Sequence, residues 1–325
     1  MPHHIMVPLD GSAFAEQALP LALTIARRAA ARLHLVRVRA TLPLDSDGAA
    51  AEQYLERITQ QLASQLPGRI THRVLLEETP PLEYPPPVTR STADLLAAHC
   101  TEQDVDLVLM TTHGRGGLGR AWLGSVADRF IRVAPRPVLL VRPKDESFSI
   151  AAEADRGLKH IVVAVDGSEL AERVIPYARD IGSLFDARYT LLRVVSPLTW
   201  DAAPEAFAVP GPHYPPLSRA DAEQYVEQLG AHMREQQLNA ESHIVRAASA
   251  ASGIVDFAAS HGADLIAITT SGVGGIRRLL LGSVADKVVR SSEVGVLVCN
   301  VEHLVEQAET AGRAGQDRAT IQGTA

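Results

Sequence analysis

The stretch TTHGRGGLGRAWLGS, Thr111 to Ser125, and its second occurrence TTSGVGGIRRLLLGS, Thr269 to Ser283, decide the fold. Each follows an apolar run, Leu107 to Met110 or Leu265 to Ile268, that reads as a buried strand. Each then leads through SVAD into an apolar-periodic helix. A glycine-rich turn between a strand and a helix is where backbone N–H groups and the positive end of a helix converge on an anion. Two equivalently placed copies mark a duplicated domain that carries a phosphate-binding loop.

Reading outward, the two halves have the same order. Ile5 to Leu9 is a strand followed by Asp10-Gly11-Ser12; Ile161 to Val165 is a strand followed by Asp166-Gly167-Ser168. The spacing of Ala18, Leu19, Ala22, Leu23, Ile25 and Ala26 predicts one helix over Ala15 to Ala31, and its counterpart runs from Glu169 to Asp186. Second strands, Leu33 to Val38 and Tyr189 to Val195, are followed by helices near Ala50 to Leu66 and Ala220 to Glu235. Third strands, Ile70 to Leu76 and Glu241 to Val245, precede helices at Ser91 to Glu102 and Ser252 to His261. Fifth strands, Pro137 to Val141 and Val294 to Val298, close each half. GSVADRFIR (Gly124 to Arg132) and GSVADKVVR (Gly282 to Arg290) are nearly the same words. The expected division is a domain at 1–143, a linker at 144–157, a domain at 158–302 and a disordered tail at 303–325.

Alternating strands and helices imply right-handed crossovers and a parallel sheet covered on both faces. The expected class is therefore α/β: two Rossmann-like doubly wound domains, each a five-stranded parallel sheet of order 3-2-1-4-5. Ligands of such sheets lie at the carboxyl ends of strands where the order reverses, here between strands one and four. Asp10 and Asp166 end the first strands, and the glycine motifs end the fourth.

Composition narrows the function classes. The formal charge of −7 argues against a broad nucleic-acid footprint, which needs a basic face. No run approaches the roughly 18 apolar residues of a membrane span, and MPHHIMVPLDGS lacks the basic and apolar regions of a signal peptide. With only Cys100 and Cys299, no disulfide framework is expected, and the expected location is cytoplasmic.

The motifs admit plain alternatives. Ser125 with Asp128, and Ser283 with Asp286, fit the S-x-x-D capping box, although capping alone does not require Gly114, Gly116, Gly117 and Gly119 ahead of it. Glycine also permits positive φ and close approach of a phosphate. Gly114 to Gly119 satisfies G-x-G-x-x-G, but it follows the fourth strand, breaks at Arg277 in the second copy and has no ribose-binding acid after it. A P-loop is excluded by the lack of its lysine. Asp10 and Asp166 could serve a D-G-S turn or accept from a ribose hydroxyl. Arg115, Arg120, Arg277 and Arg278 read as surface charges close enough to screen a polyphosphate, and His113 has only Ser271 as its counterpart. Cys100 reads as a buried small apolar residue. Neither a nucleophile–base–orienter set nor clustered metal ligands are evident.

On these residues the chain resembles two universal stress protein domains in tandem, from Pro2 to Val301. The family's nucleotide-binding branch carries G-x-x-G, nine residues, then G-[ST]. Gly114, Gly124 and Ser125 match it, as do Gly272, Gly282 and Ser283; Thr111 and Thr269 stand where the first glycine would be. The resemblance puts Asp10 and Asp166 at the adenosine and Val38 and Val194 against adenine. It also implies pairing of the halves through their fifth strands, as a pseudo-dimer within one chain that could dimerise again. ATP, with or without magnesium, is the expected ligand. Its expected contacts are Asp10, Val38, Thr111, Gly114, Arg115, Gly117, Gly124, Ser125 and Val126, and in the second half Asp166, Val194, Thr269, Gly272, Gly275, Gly282, Ser283 and Val284. The function implied is a stress-response regulator working by nucleotide occupancy and not an enzyme. The rivals are a nucleotide-free scaffold of the same fold and an adenylyltransferase-like enzyme, whose H-x-G-H signature is absent.

Overall fold

In the computed structural model, residues 1–40, 47–77, 90–112, 123–143, 157–197, 219–270 and 281–300 are described. The first half contributes strands β1 (His4–Pro8), β2 (Arg32–Ala40), β3 (Ile70–Glu77), β4 (Leu107–Thr111) and β5 (Val138–Val141). The second contributes β6 (His160–Ala164), β7 (Arg188–Val195), β8 (Ala240–Arg246), β9 (Leu265–Thr269) and β10 (Gly295–Cys299). Within each half the order is the expected 3-2-1-4-5, all parallel.

The halves do not form two separate sheets. β5 and β10 pair antiparallel, Leu139 opposite Leu297, which joins everything into one ten-stranded sheet. The reason lies in the strands. β5 reads VLLV and β10 GVLVC, short and apolar on both faces, with buried residues throughout VLLV. Such strands leave no polar edge to expose, and pairing satisfies their backbone groups.

Alternation along the strands sends residues to two cores, one on each face. Ile5, Leu33, Leu35, Leu109, Leu139, Ile161 and Leu297 belong to one, and Met6, Val36, Val108, Met110, Leu140, Val162 and Val298 to the other. Each core runs through both halves. Cys100 is buried with its sulfur 3.8 Å from that of Met6, in the role of a small apolar residue.

The long helix predicted after β1 is broken. Helices Ala13–Glu16 and Leu19–Arg28 replace Ala15 to Ala31, and Pro20 sits in the first turn of the second. Proline lacks the N–H that would continue the ladder and is well placed at a helix start. Pro176 does the same in the second half, giving Glu169–Glu172 and Ile175–Gly182 with a 3₁₀ turn at Ser183–Phe185. The apolar face was nonetheless correctly read: Ala18, Leu19, Ala22, Leu23, Ile25 and Ala26 are all buried. The linker residues 144–156 and the tail 301–325 lie outside the described residues.

Candidate functional site

At the carboxyl end of β1 the chain turns sharply. Gly11 has φ of +86°, which only glycine adopts without strain. Asp10 Oδ1 accepts from the Ser12 N–H at 2.9 Å and the Ser12 hydroxyl at 2.6 Å. Ser12 Oγ in turn caps the next helix by accepting from the Ala15 N–H at 3.2 Å. Gly167, Asp166 and Ser168 repeat this with φ of +88° and bonds of 3.0, 2.6 and 3.1 Å. The turn role of Asp10 and Asp166 is present, and it takes Oδ1 of each carboxylate. Both residues remain half-buried at the strand ends.

β4 ends beside this turn. Thr111 and Thr112 are buried, and the Thr112 N–H donates to the Val141 carbonyl at 3.1 Å. The chain returns at Gly124, whose N–H donates to the Thr112 carbonyl at 2.8 Å. In the second half Thr269 and Thr270 are buried likewise, and Gly282 closes on Thr270 at 2.7 Å. The base of each glycine loop is thus pinned by a backbone bond. Gly114, Arg115 and Gly117, and Gly272 and Gly275, lie outside the described residues, as do His113, Arg120, Arg277 and Arg278.

The helix starts correct the capping reading. The N-cap residues are Gly124 and Gly282, and neither helix, Ser125–Val133 or Ser283–Ser291, has a side-chain cap. Ser125 and Ser283 are already helical and exposed, with Val126 and Val284 half-buried behind them. Nor do these glycines need positive φ: their values are −58° and −57°. What they supply is an N-cap position with no side chain of its own over the first N–H groups. An uncapped N-terminus carries unpaired donors and partial positive charge.

Asp128 and Asp286 are occupied elsewhere. Asp128 Oδ1 accepts from Arg132 at 3.0 Å within its own helix and from Arg290 of the other half at 2.7 Å. Asp286 accepts from Arg290 at 3.0 Å, and Arg132 approaches it at 3.9 Å. Arg142 donates to the Arg290 carbonyl at 2.6 Å, while Asn300, its counterpart, donates to the Arg132 carbonyl at 2.8 Å. The repeated SVAD word therefore builds the joint between the halves.

Beside the crevices stand groups that the sequence reading passed over. Tyr54 donates to Glu16 at 3.0 Å with Arg37 5.1 Å above its ring, and Tyr225 donates to Glu172 at 3.0 Å with Arg193 5.6 Å above. Burial first, then the neighbouring glutamate, raises both phenols, so they stay protonated donors. Arg193 Nε and Nη1 are buried without a hydrogen-bond partner among the described residues, and burial lowers its pKa against the opposing pull of Asp166. The available signal was the equal spacing from Glu16 to Arg37 and from Glu172 to Arg193. Val38 and Val194 are half-buried and pack on the second core. Val194 also lies tight under Gly253, where an added Cβ would come within 2.8 Å of Val194 Cγ1. The residue at this point of the first half is Leu95, which carries a side chain where Gly253 has none.

Among the described residues no group of three His, Cys, Asp or Glu could hold a metal ion. No helix among them is long and apolar enough to cross a membrane.

Comparison with known proteins agrees with the duplicated architecture. The profile of the Universal stress protein family matches residues 1–142 and 157–300. A universal stress protein of Mycobacterium tuberculosis is 26% identical over 195 residues, covering 60% of this chain and 62% of that protein. The chain thus spans less than two thirds of that relative's length. A universal stress protein of Methanocaldococcus jannaschii is 30% identical over 159 residues, 46% of this chain and 86% of its own. The crystal structure of a universal stress protein from Archaeoglobus fulgidus superposes over 92% of this chain and 98% of its own with a TM-score of 0.64. At 15% identity this last likeness concerns the fold alone.

Proposed function

The chain belongs to the universal stress protein family, and from that premise we propose that it binds an adenine nucleotide, ATP, and acts by occupancy as a stress-response regulator. The observation that carries the reading is the pair of helix starts with glycine at the N-cap, Gly124 and Gly282, each pinned beside the end of a central strand. Open N–H groups at a helix start suit phosphate. The residues present fit the ligand: Ser125 and Ser283 add exposed hydroxyls there, and Asp10 and Asp166 offer carboxylates on the neighbouring strand ends. Adenine would rest by Val38 or Val194. Magnesium, if bound, would be held by the phosphates and the serine hydroxyls. The chain's own part is to bind and orient.

Two observations favour a second reading, a scaffold of the same fold that binds no nucleotide. Thr111 and Thr269 are buried where the motif's first glycine would stand, and the helix backbone at Gly253 packs so near Val194 that an added Cβ would clash with it. Mass spectrometry of small molecules released from the purified, denatured protein tests the choice. ATP or ADP recovered with the chain supports the nucleotide reading. Their absence, together with no heat of ATP binding, leaves the scaffold. Pyrophosphate release on incubation with ATP would point instead to adenylyl transfer.

A further inference from the structure

A cavity of about 240 Å³ opens between the halves, at the amino-terminal ends of β4 and β5 and so opposite the first half's crevice. Its walls include Asp106, Arg136 and Pro137 from the first half, and Tyr177 and Asp180 from the Ile175–Gly182 helix of the second. The polar groups here are unevenly used. Arg136 Nη2 bonds Asp104 Oδ1 at 3.0 Å, but its Nε is buried with no hydrogen-bond partner among the described residues. That nitrogen is sealed from the cavity, and it is the remaining, partly exposed part of the Arg136 side chain that can meet a ligand. Burial keeps the Tyr177 phenol protonated and able to donate. Asp106 receives the His3 and His4 N–H groups at 2.7 and 2.9 Å, both on Oδ2. Asp180 bonds Arg179 and the Met1 amino group.

The duplication supplies an internal control. The positions of the other half that correspond to Arg136, Tyr177 and Asp180 are Val294, Leu21 and Thr24. Leu21 and Thr24 are buried, Thr24 bonding back to the Pro20 carbonyl at 2.9 Å, and Val294 packs on the second core. The same joint is therefore built without a guanidinium, a phenol or this second acid.

We propose that this cavity binds a small zwitterion, the chemical class of the free amino acids, with its carboxylate toward Arg136 and Tyr177 and its ammonium toward Asp106. A simple anion would face the charges of Asp106 and Asp180, and a simple cation would face Arg136 and the Met1 amino group that also lines the cavity. A molecule bearing both signs meets both demands. The volume has room on the order of eight waters at roughly 30 Å³ each, enough for a small amino acid and too little for a nucleoside triphosphate. The site is separate from the glycine loops and does not rest on the nucleotide reading.

Calorimetry on the full chain would be run against each of the twenty amino acids, with acetate, inorganic phosphate and methylamine as single-charge controls. At least one amino acid binds, and Arg136→Val and Tyr177→Leu, which copy the other half, each weaken it at least tenfold while the unfolding midpoint stays within a few degrees. Should Arg136→Val fail to fold, Arg136→Gln, which removes the charge and keeps a polar side chain, is read in its place, and the same tenfold loss is expected. The proposal is overturned if no amino acid binds, if a single-charge control binds as well as the best amino acid, or if the folded Arg136 variant binds unchanged.

Discussion

The Asp128 carboxylate of the first half lies 2.7 Å from the Arg290 guanidinium of the second, and each already bonds its own helix neighbour, Arg132 or Asp286. The four charges form a ring across the β5–β10 joint. Its members are only partly buried, with side-chain exposures of 23–33%, so solvent screens them and the stabilisation per pair is modest. A double-mutant cycle with Asp128→Ala and Arg290→Ala should give a coupling of about 0.5–1 kcal/mol by urea unfolding. The coupling should shrink between 0.05 and about 1 M salt. A cycle that closes at zero in low salt would mean the ring only decorates a joint held by Leu139 and Leu297.

The helix starts make a second prediction. Because Gly124 and Gly282 have ordinary negative φ, a side chain there is tolerated by the backbone. Gly124→Glu and Gly282→Glu should each cost less than about 1 kcal/mol of stability. The added carboxylate would lie over the open N–H groups and compete with phosphate, so ATP affinity should fall at least tenfold at the altered half. ATP affinity unchanged in the folded double variant would remove the phosphate from this place.

How far the sequence carried these conclusions depends on the range of each interaction. Strand order was legible because alternation, glycine loops and DGS turns repeat at fixed spacing, and each is a local signal. The break before Pro20 was not, because the apolar face of Ala18, Leu19 and Ala22 continues across it. Asp128 was read as a cap since S-x-x-D is a local pattern, while its true partner is 162 positions away and meets it only once β5 and β10 pair. Arg136 and Tyr177 carry no motif at all. They become neighbours only when the second half's helix crosses the beginning of β5.

The two crevices should not fill alike. Val194 sits against Gly253, whereas the first half has Leu95 at that point, and the loops containing Tyr84 and Trp200 differ between halves although they lie outside the described residues. ATP titration followed by calorimetry and by Trp122 and Trp200 fluorescence should show two classes of site or fewer than two nucleotides per chain. Gly253→Ala, which forces Val194 to move, should alter one class and spare the other. Two identical, independent sites would refute the inequality.

Acid should weaken the first half through His34, which has no histidine counterpart in the second half, although His160 there is lowered by burial as well. His34 Nε2 lies 2.8 Å from His99 Nε2, and His34 Nδ1 lies 2.8 Å from Thr71 Oγ1, with the His4 ring 5.7 Å away. Burial, then the charges that His99, His4, His72 and Arg73 would carry, lowers the pKa of His34 to about 4 from the ordinary 6.5. His99 is lowered too, chiefly by burial, with Glu102 opposing. Between pH 6.5 and 4 the unfolded chain binds a proton at His34 that the folded chain refuses. Stability is therefore full above pH 6.5 and falls as pH drops through that window, by up to about 1.4 kcal/mol per unit from this residue. The second half has Thr190 at this position, bonded to His160 at 2.8 Å, so His34→Thr places a hydroxyl that the fold already uses. Urea unfolding at pH 7, 6, 5 and 4.5 should show a shallower loss in His34→Thr than in the wild type; equal slopes would exclude His34 as the group that senses acid.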